Sequence, residues 1–561
     1  MTTFNYLLFW VAVFLSVVTI YKVLILDGKA ESASKELVIP DKVYYGILGV
    51  AVLAALFVRL YQFGVIPGGF NQDGAMAAVD ANALADYGTD RFGMRYPTHL
   101  TAWGYSQMSA LLSYLMIPFN KLFGITAVSM RAPQLLVSLL GLACLYFLVR
   151  DIFGKNIALV VFCFAAINPW HILQSRWALE ANLYPHFFLF GVFFLNLALR
   201  GMKRKRFFVL SMIMFGLCMY CYGVSIYTMP LFLVVACAYL LVKKQINVKE
   251  AVLSAVVYLI VGGPFILTMA INYFQWDTIE TPLFTMPYFQ DSVRSDDILF
   301  FSDNFWPQLV TNFNCLFDMT VQQMEDTPWN NIKGFGTIYL FSFPFAFAGA
   351  ATLWKKFRKK PGAMLVAFFL MTGIWCGLVT NNTNINRINI IYYPIIILAG
   401  IGIYSMICHI NLSWVKYGTV VVYAVAFGLF ANTYFTTYAK ETNYYFFNDF
   451  CDAVYSLRDT DYDKYYITTV IKEGDESPTS CEILTMFWMD IDIAYYQGKT
   501  TPEGELPYSE RFTYATGPNM IVDAAQDAAY VVQASDLAYF DSSLFHFEEF
   551  GSYYVVTRNS Q

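Results

Sequence analysis

Apolar residues run along this chain in long blocks, not in the alternating or 3.6-residue patterns of half-buried strands and surface helices. Blocks of this kind mark helices surrounded by lipid, where a bilayer core takes about 20 apolar residues per helix. Twelve blocks meet that requirement: 4–26, 43–61, 130–150, 156–172, 183–199, 207–222, 224–242, 251–271, 336–354, 363–380, 388–408 and 413–435. Blocks 207–222 and 224–242 adjoin so closely that their turn is expected at Gly223. The first block lacks a basic leader and a small-residue cleavage site and is longer than a signal peptide, so it is expected to remain as a span.

The polar breaks carry their own pattern. "RGMKRKRF" at 200–207 and "WKKFRKKPG" at 354–362 hold five Lys and Arg each, and "KKQINVKE" at 243–250 and "GKAESASKELVIPDK" at 28–42 hold three each. All four fall on the same side of the predicted layout, which the distribution of basic residues makes cytoplasmic. Residues 62–129, 173–182, 272–335, 381–387 and the tail 436–561 are then expected outside. Within the first outer loop, 106–124 is apolar but contains Pro118, Asn120 and Lys121 and is expected as an interfacial helix. From about 436 acids become frequent. "KYYITTVIK" and "GSYYVVTR" predict strands, and "DFCDAVYSLRD" and "SCEILTMFWMDIDIAYYQG" predict helices. The fold class expected is therefore a polytopic α-helical membrane protein of about twelve transmembrane helices. Residues 1–435 form its membrane domain and residues 436–561 a small C-terminal extracytoplasmic α/β domain.

Composition agrees. Only 14% of residues are charged, against about 25% in soluble domains, and mean hydropathy is +0.48. A net charge of −5 offers no basic surface for nucleic acid. Of ten cysteines, seven lie in apolar blocks, including the C-x-x-C of Cys218 and Cys221, and read as packing residues. Cys315, Cys451 and Cys481 lie in polar segments, and Cys451 and Cys481 are a candidate pair in an oxidising compartment.

Phosphate-cradling glycine loops, nucleophile elbows, H-E-x-x-H and zinc-spaced cysteines are missing from the sequence, so candidate chemistry rests on placement. Three polar sets fall at the outer face. In "FNQDGAMAAVDANALADYG", 70–88, Asp73 or Asn71 caps a helix that Gly88 ends, or Asp73 is a catalytic base. Asp80 and Asp86 follow on the same helix. In "NPWHILQSRWALEANLYPHF", 168–187, Arg176 and Glu180 stand four apart, which on a continuous helix gives one face, either as an ion pair or as a binding pair. Trp170 and Trp177 read as interface anchors, and His171 and His186 as hydrogen-bonding residues or metal ligands. In "VTNNTNINRINIIYYP", 379–394, Arg387 opens a span, either as a snorkelling residue or as a guanidinium facing a lipid phosphate.

The order "LMIPFNKLFGITAVSMRAPQLLVSLLGLACLYFLVRDIFGKNIALV" then "AAINPWHILQSRWALEANL", preceded by an acid in the first outer loop, resembles the GT-C superfamily of polytopic glycosyltransferases. It is most similar to the branch holding the aminoarabinose transferases and the protein O-mannosyltransferases. The motif covers 115–183, and the loop layout extends the resemblance to 60–435. It implies an inverting transferase of the bacterial plasma membrane that moves a sugar from a polyprenyl-phosphate donor to a glycan, lipid or protein acceptor outside the cytoplasm. Asp73 would be the base, with Arg176, Glu180, His171 and Arg387 binding substrate. The family's second acid is replaced by Gly74. Family members differ in their use of a divalent metal, so no cofactor is assigned and a divalent metal stays open. The chemistry is coherent with the layout: a lipid-tailed donor is met at the membrane face, its phosphate leaving group needs cations, and inversion needs one base. A flippase of lipid-linked saccharides is the main rival. It predicts paired helix breaks at mid-membrane, whereas only Gly262-Gly263-Pro264 offers one. A non-catalytic protein whose tail binds a partner is the second rival.

Overall fold

Every predicted block folds as helix in the computed structural model, which describes residues 2–26, 37–103, 106–290, 299 and 304–559. The basic stretch 28–36 and the outer-loop segment 291–298 lie outside the described residues. Among the described residues nine helices are long and apolar enough to cross a membrane. The other three predicted blocks form the shorter helices Lys155–Ala166, Arg204–Cys218 and Phe343–Thr352. Local causes shorten two of them. Asn168 and Pro169 start a new helix at the end of the first, and a π-helical turn, Leu353–Phe357, follows the third at its basic end. The helix Val248–Phe274 runs unbroken through Gly262-Gly263-Pro264.

The two sets of loops gather at opposite ends of the bundle. At one end Lys22 donates to His409 O and Lys355 to Leu24 O, Lys155 pairs with Asp41, Arg204 with Glu250, and Lys360 reaches Ile152 O. At the other, Phe70 N donates to Phe446 O, Asn312 to Thr380 O, and Asn389 to Ala181 O. The charge asymmetry of the sequence is thus a spatial one.

The first large loop holds the helix Gln72–Tyr87, a hairpin of His99–Ala102 with Ser106–Ser109, and the helix Leu111–Phe123. Residues 106–109 are strand, not the start of an interfacial helix as the apolar run suggested, because Ser106 and Met108 pair with Ala102 and Leu100. The helix that follows packs on Gln72–Tyr87 through Asn120 Nδ2 and Asn82 Oδ1 at 2.7 Å.

Position 436 is not a break. The helix Ser413–Thr433 continues through a π-helical turn, Tyr434–Tyr438, into Ala439–Tyr445. Beyond it lies a five-stranded mixed sheet in the order Phe545–Phe550, Tyr553–Arg558, Ala528–Gln533, Lys464–Ile467, Phe512–Tyr514. Its central strand, Ala528–Gln533, is buried on both faces along most of its length, as a strand covered on two sides must be. The predicted "KYYITTVIK" strand divides into Lys464–Ile467 and Val470–Lys472. The helix Pro478–Trp488 packs on Gln72–Tyr87, with Phe70 and Phe487 rings stacked at 4.5 Å. Tyr87 donates to Asp492 Oδ2 at 2.5 Å, and Gln497 donates to Asp90 O and Arg91 O. The C-terminal segment therefore closes over the first loop.

Candidate active site

The helix carrying Asp73 starts abruptly. Asn71 is extended, and its Oδ1 accepts from Gly74 N at 3.1 Å, so Asn71 is the cap. Gly88, at φ 69°, ends the helix in the left-handed conformation. Asp73 sits half-buried in the first turn, where the helix dipole favours negative charge. Gly74 explains the missing second acid. A Cβ there would lie 2.9 Å from Ala178 O and 3.0 Å from Phe70 Cε1. The close approach that excludes a side chain at 74 keys the Asp73 turn against Ala178.

The loop leading to Asp73 is held by two buried arginines. The helix Asp41–Leu60 ends with four orphan carbonyls. Phe57 O accepts from Tyr61 N, Leu60 O from Phe63 N, and Val58 O and Arg59 O from Arg176 Nη1, each at 2.9 Å. Arg176 Nη2 then donates to Tyr61 O, Gln62 O and Ile66 O, and Nε to Tyr434 Oη. Arg131 continues the clamp on Gly64 O, Pro67 O and Gly69 O. All five guanidinium donors of Arg176 are engaged within the protein, and the residue is fully buried. Its Nη1 and Nη2 clamp the backbone of the loop that leads to Asp73.

Arg176 and Glu180 also fail to share a helix. The helix Pro169–Gln174 ends before Arg176, and a new one starts at Glu180 with Leu179 as its N-cap. Glu180 is half-buried and accepts from Ser109 N, tying the hairpin to this turn. His171 is fully buried. Arg59 Nη2 donates to its Nδ1 at 3.0 Å, so Nε2 carries the proton and meets Tyr393 Oη at 3.0 Å. Tyr393 Oη in turn bonds His186 Nδ1 at 2.7 Å, and His186 Nε2 meets Ser138 and Gln174. This network joins helices and occupies both imidazoles. Among the described residues no group of three or more His, Cys, Asp or Glu is placed to hold a metal ion. Cys451 and Cys481 are both buried and both free thiols.

Arg387 lies in the short helix Ile385–Ile388 capped by Asn384, is half-buried, and donates to Thr380 Oγ1 at 3.3 Å. Two residues on, Asn389 Nδ2 reaches Ala181 O and Asn182 Oδ1. The segments bearing Asp73, Glu180 and Arg387 thus all meet at the turn 178–182.

A second acidic group lies behind this one. Asp80 is fully buried and pairs with Arg91 Nη1 at 2.5 Å, accepting from Arg91 N as well. Burial pushes its carboxyl up and Arg91 opposes that shift. Asp90 Oδ1 accepts from Phe92 N and Met94 N, while Oδ2 has no partner. Burial first and the charge of Asp80 second raise the Asp90 carboxyl to about 7. Asp86 remains exposed at the helix end.

Comparison with solved structures decides the architecture. ArnT from Cupriavidus metallidurans bound to undecaprenyl phosphate superposes with a TM-score of 0.54 at 12% identity, over 91% of this chain and 98% of that one. Its apo form gives 0.51 at 11% identity, over 91% and 97%. The Archaeoglobus fulgidus oligosaccharyltransferase tethered to an acceptor peptide gives 0.51 at 13% identity, over 80% of this chain and 63% of that one. The chain has the GT-C glycosyltransferase fold. Within it, residues 109–285 match the family model of dolichyl-phosphate-mannose-protein mannosyltransferase. No curated protein matches the sequence significantly. Nine membrane-length apolar helices among the described residues make this an integral membrane protein.

The head of the Asp73 helix also adjoins residues that the sequence did not single out. Trp103 and Trp329 face a cleft beside Asn71 and Gln72, together with Lys472 and Ser480 of the C-terminal segment. Trp103 could have been suspected from its place just after the hairpin strand. Nothing in the sequence joins Lys472 to a helix that begins 400 residues earlier.

Proposed function

We propose that the protein is an inverting glycosyltransferase. It takes a sugar from a polyprenyl-phosphate donor and transfers it to an acceptor at the extracytoplasmic face of the bacterial plasma membrane. Asp73 accepts the proton of the acceptor hydroxyl as that oxygen attacks the anomeric carbon. The bond from anomeric carbon to phosphate oxygen breaks, and polyprenyl phosphate leaves. Arg387 is the cation set near the leaving phosphate, and Glu180 orients the site through the hairpin. One base suffices for inversion, which accommodates glycine at position 74.

The observation that carries this proposal is the placement of the helix head. Asn71 caps the helix, and Gly74 keys the first turn, which carries Asp73, to the turn 178–182 that the Arg387 segment also reaches through Asn389. The GT-C fold and the mannosyltransferase match over 109–285 support it. The test supplies radiolabelled polyprenyl-phosphate hexoses to membranes carrying wild type or Asp73→Asn. Transfer is expected to fall about 10²-fold or more in the variant, the usual contribution of a general base. Equal rates would remove Asp73 from the chemistry, and no transfer from any donor would remove the transferase assignment. Cysteine labelling is expected to reach 70–100 and 436–559 from outside only.

A further inference from the structure

Two clefts adjoin near the head of the Asp73 helix. The first has a volume of about 290 Å³. Asn71, Gln72, Trp103 and Trp329 line it together with Lys472, Asp475 and Ser477 of the C-terminal segment. The second, of about 440 Å³, shares Phe447, Ile471 and Lys472 with the first and runs on past Asn448 to Gln533 and Ser552 at one end of the sheet. The result is one trough that begins at the two residues preceding Asp73 and ends on the C-terminal sheet.

The lining selects an occupant. An acyl chain needs a continuous apolar wall, and here amides, hydroxyls and the Lys472–Asp475 ion pair at 3.2 Å interrupt the rings. Sugars present hydroxyls to such groups and C–H faces to aromatic rings. Trp329 is half-buried and meets Tyr445 edge-on at 5.9 Å, which leaves ring surface toward the cleft. Trp103 is held at φ 58°, a left-handed conformation that a bulky side chain keeps only where its surroundings enforce it. Its N–H is anchored to Met76 Sδ at 3.4 Å, on the Asp73 helix itself. Four protein segments remote in sequence, around 71, 103, 329 and 472, therefore converge on one polar and aromatic channel.

We propose that this trough binds a carbohydrate acceptor of more than one sugar unit, with the hydroxyl to be glycosylated lying at Asn71 and Gln72 and the remaining units running toward Ser552. Identifying the trough as the acceptor's path rests on the transferase assignment above; its binding of saccharide does not. The full chain in lipid nanodiscs is titrated by calorimetry with tetrasaccharides of glucose, galactose or mannose, and transfer from labelled polyprenyl-phosphate hexose is followed to those saccharides, to a Ser/Thr-rich peptide and to water. Saccharide binding is expected in wild type. Trp329→Ala and Lys472→Ala, which lie outside the Asp73 machinery, are expected to weaken it tenfold or more. Both should raise the acceptor KM by the same factor while donor hydrolysis by water stays unchanged. Absence of calorimetric binding for every tetrasaccharide overturns the proposal, as does binding that both variants leave intact. Saccharide binding lost in the variants, without transfer from any donor, sinks the transferase assignment and leaves the carbohydrate site standing. Transfer to the peptide alone sinks the carbohydrate site and leaves the transferase standing.

Discussion

Replacing Arg176 by Met should unfasten the loop that delivers Asp73 while leaving the bundle folded. Of the five carbonyls the guanidinium serves, Gln62 O has other donors in Val65 N and Ile66 N. Those of Val58, Arg59, Tyr61 and Ile66 have none described. Three of these belong to buried residues. An unpaired buried carbonyl costs roughly 1–3 kcal/mol. Removing the desolvated cation and admitting water offset part of that sum, which leaves a loss of about 3–5 kcal/mol. Arg176→Lys keeps the charge but offers three donors at one point instead of a five-donor fork, so it should recover about half. Thermal unfolding in detergent ranks wild type above Lys above Met. Limited proteolysis should find 61–70 newly cleavable in the Met variant, and kcat should fall with little change in donor KM. An unchanged melting temperature with a protected loop would refute the clamp. A protected loop with lost donor binding would restore Arg176 to the substrate.

Gly74→Glu, which places a second acid beside Asp73, should lose activity and about 1–3 kcal/mol of stability, as overpacking does, because its Cβ would lie 2.9 Å from Ala178 O; higher activity would show that the turn yields. Asp90→Asn keeps the acceptor for Phe92 N and Met94 N and removes a charge whose folded pKa, about 7, exceeds the ordinary carboxyl value. The wild-type protein should therefore lose stability as pH rises from 4 to 7, since the folded state holds a proton that the unfolded state has released. The variant should flatten that slope and melt higher at pH 8; a lower melting point at pH 8 would contradict the buried charge. Arg387→Ala should raise donor KM tenfold or more with the melting temperature nearly unchanged; a rise confined to acceptor KM would move Arg387 to the other substrate.

The membrane layout was legible because lipid imposes a length and a composition on each span, and because Lys and Arg mark one end of the bundle. The local structure of the candidate site was legible only in part. The helix head that carries Asp73 was readable from its cap and its closing Gly88, but the i,i+4 relation between Arg176 and Glu180 misled, since the chain leaves helix between Gln174 and Glu180. Arg176 finds its partners at 58–66, more than a hundred residues upstream, and no local pattern encodes such a pairing. His171 likewise finds its hydrogen-bond partner in Tyr393, on a distant helix that no local pattern ties to it. In the tail, Phe512–Tyr514, Ala528–Gln533 and Phe545–Phe550 escaped notice as strands. All three mix acids, small residues or hydroxyls with apolar ones, and their strand character comes from pairing with neighbours.

The helix that passes position 436 without a break has a practical corollary for dissecting the molecule. A chain cut there would end inside a π-helical turn and would lose Phe446, whose carbonyl holds Phe70 N three residues before Asp73. It would also lose Phe487, stacked on the same Phe70. The C-terminal segment is thus not a detachable module: the two ends of the polypeptide share one joint, and truncation or domain exchange at this boundary would dismantle the head of the Asp73 helix along with the sheet.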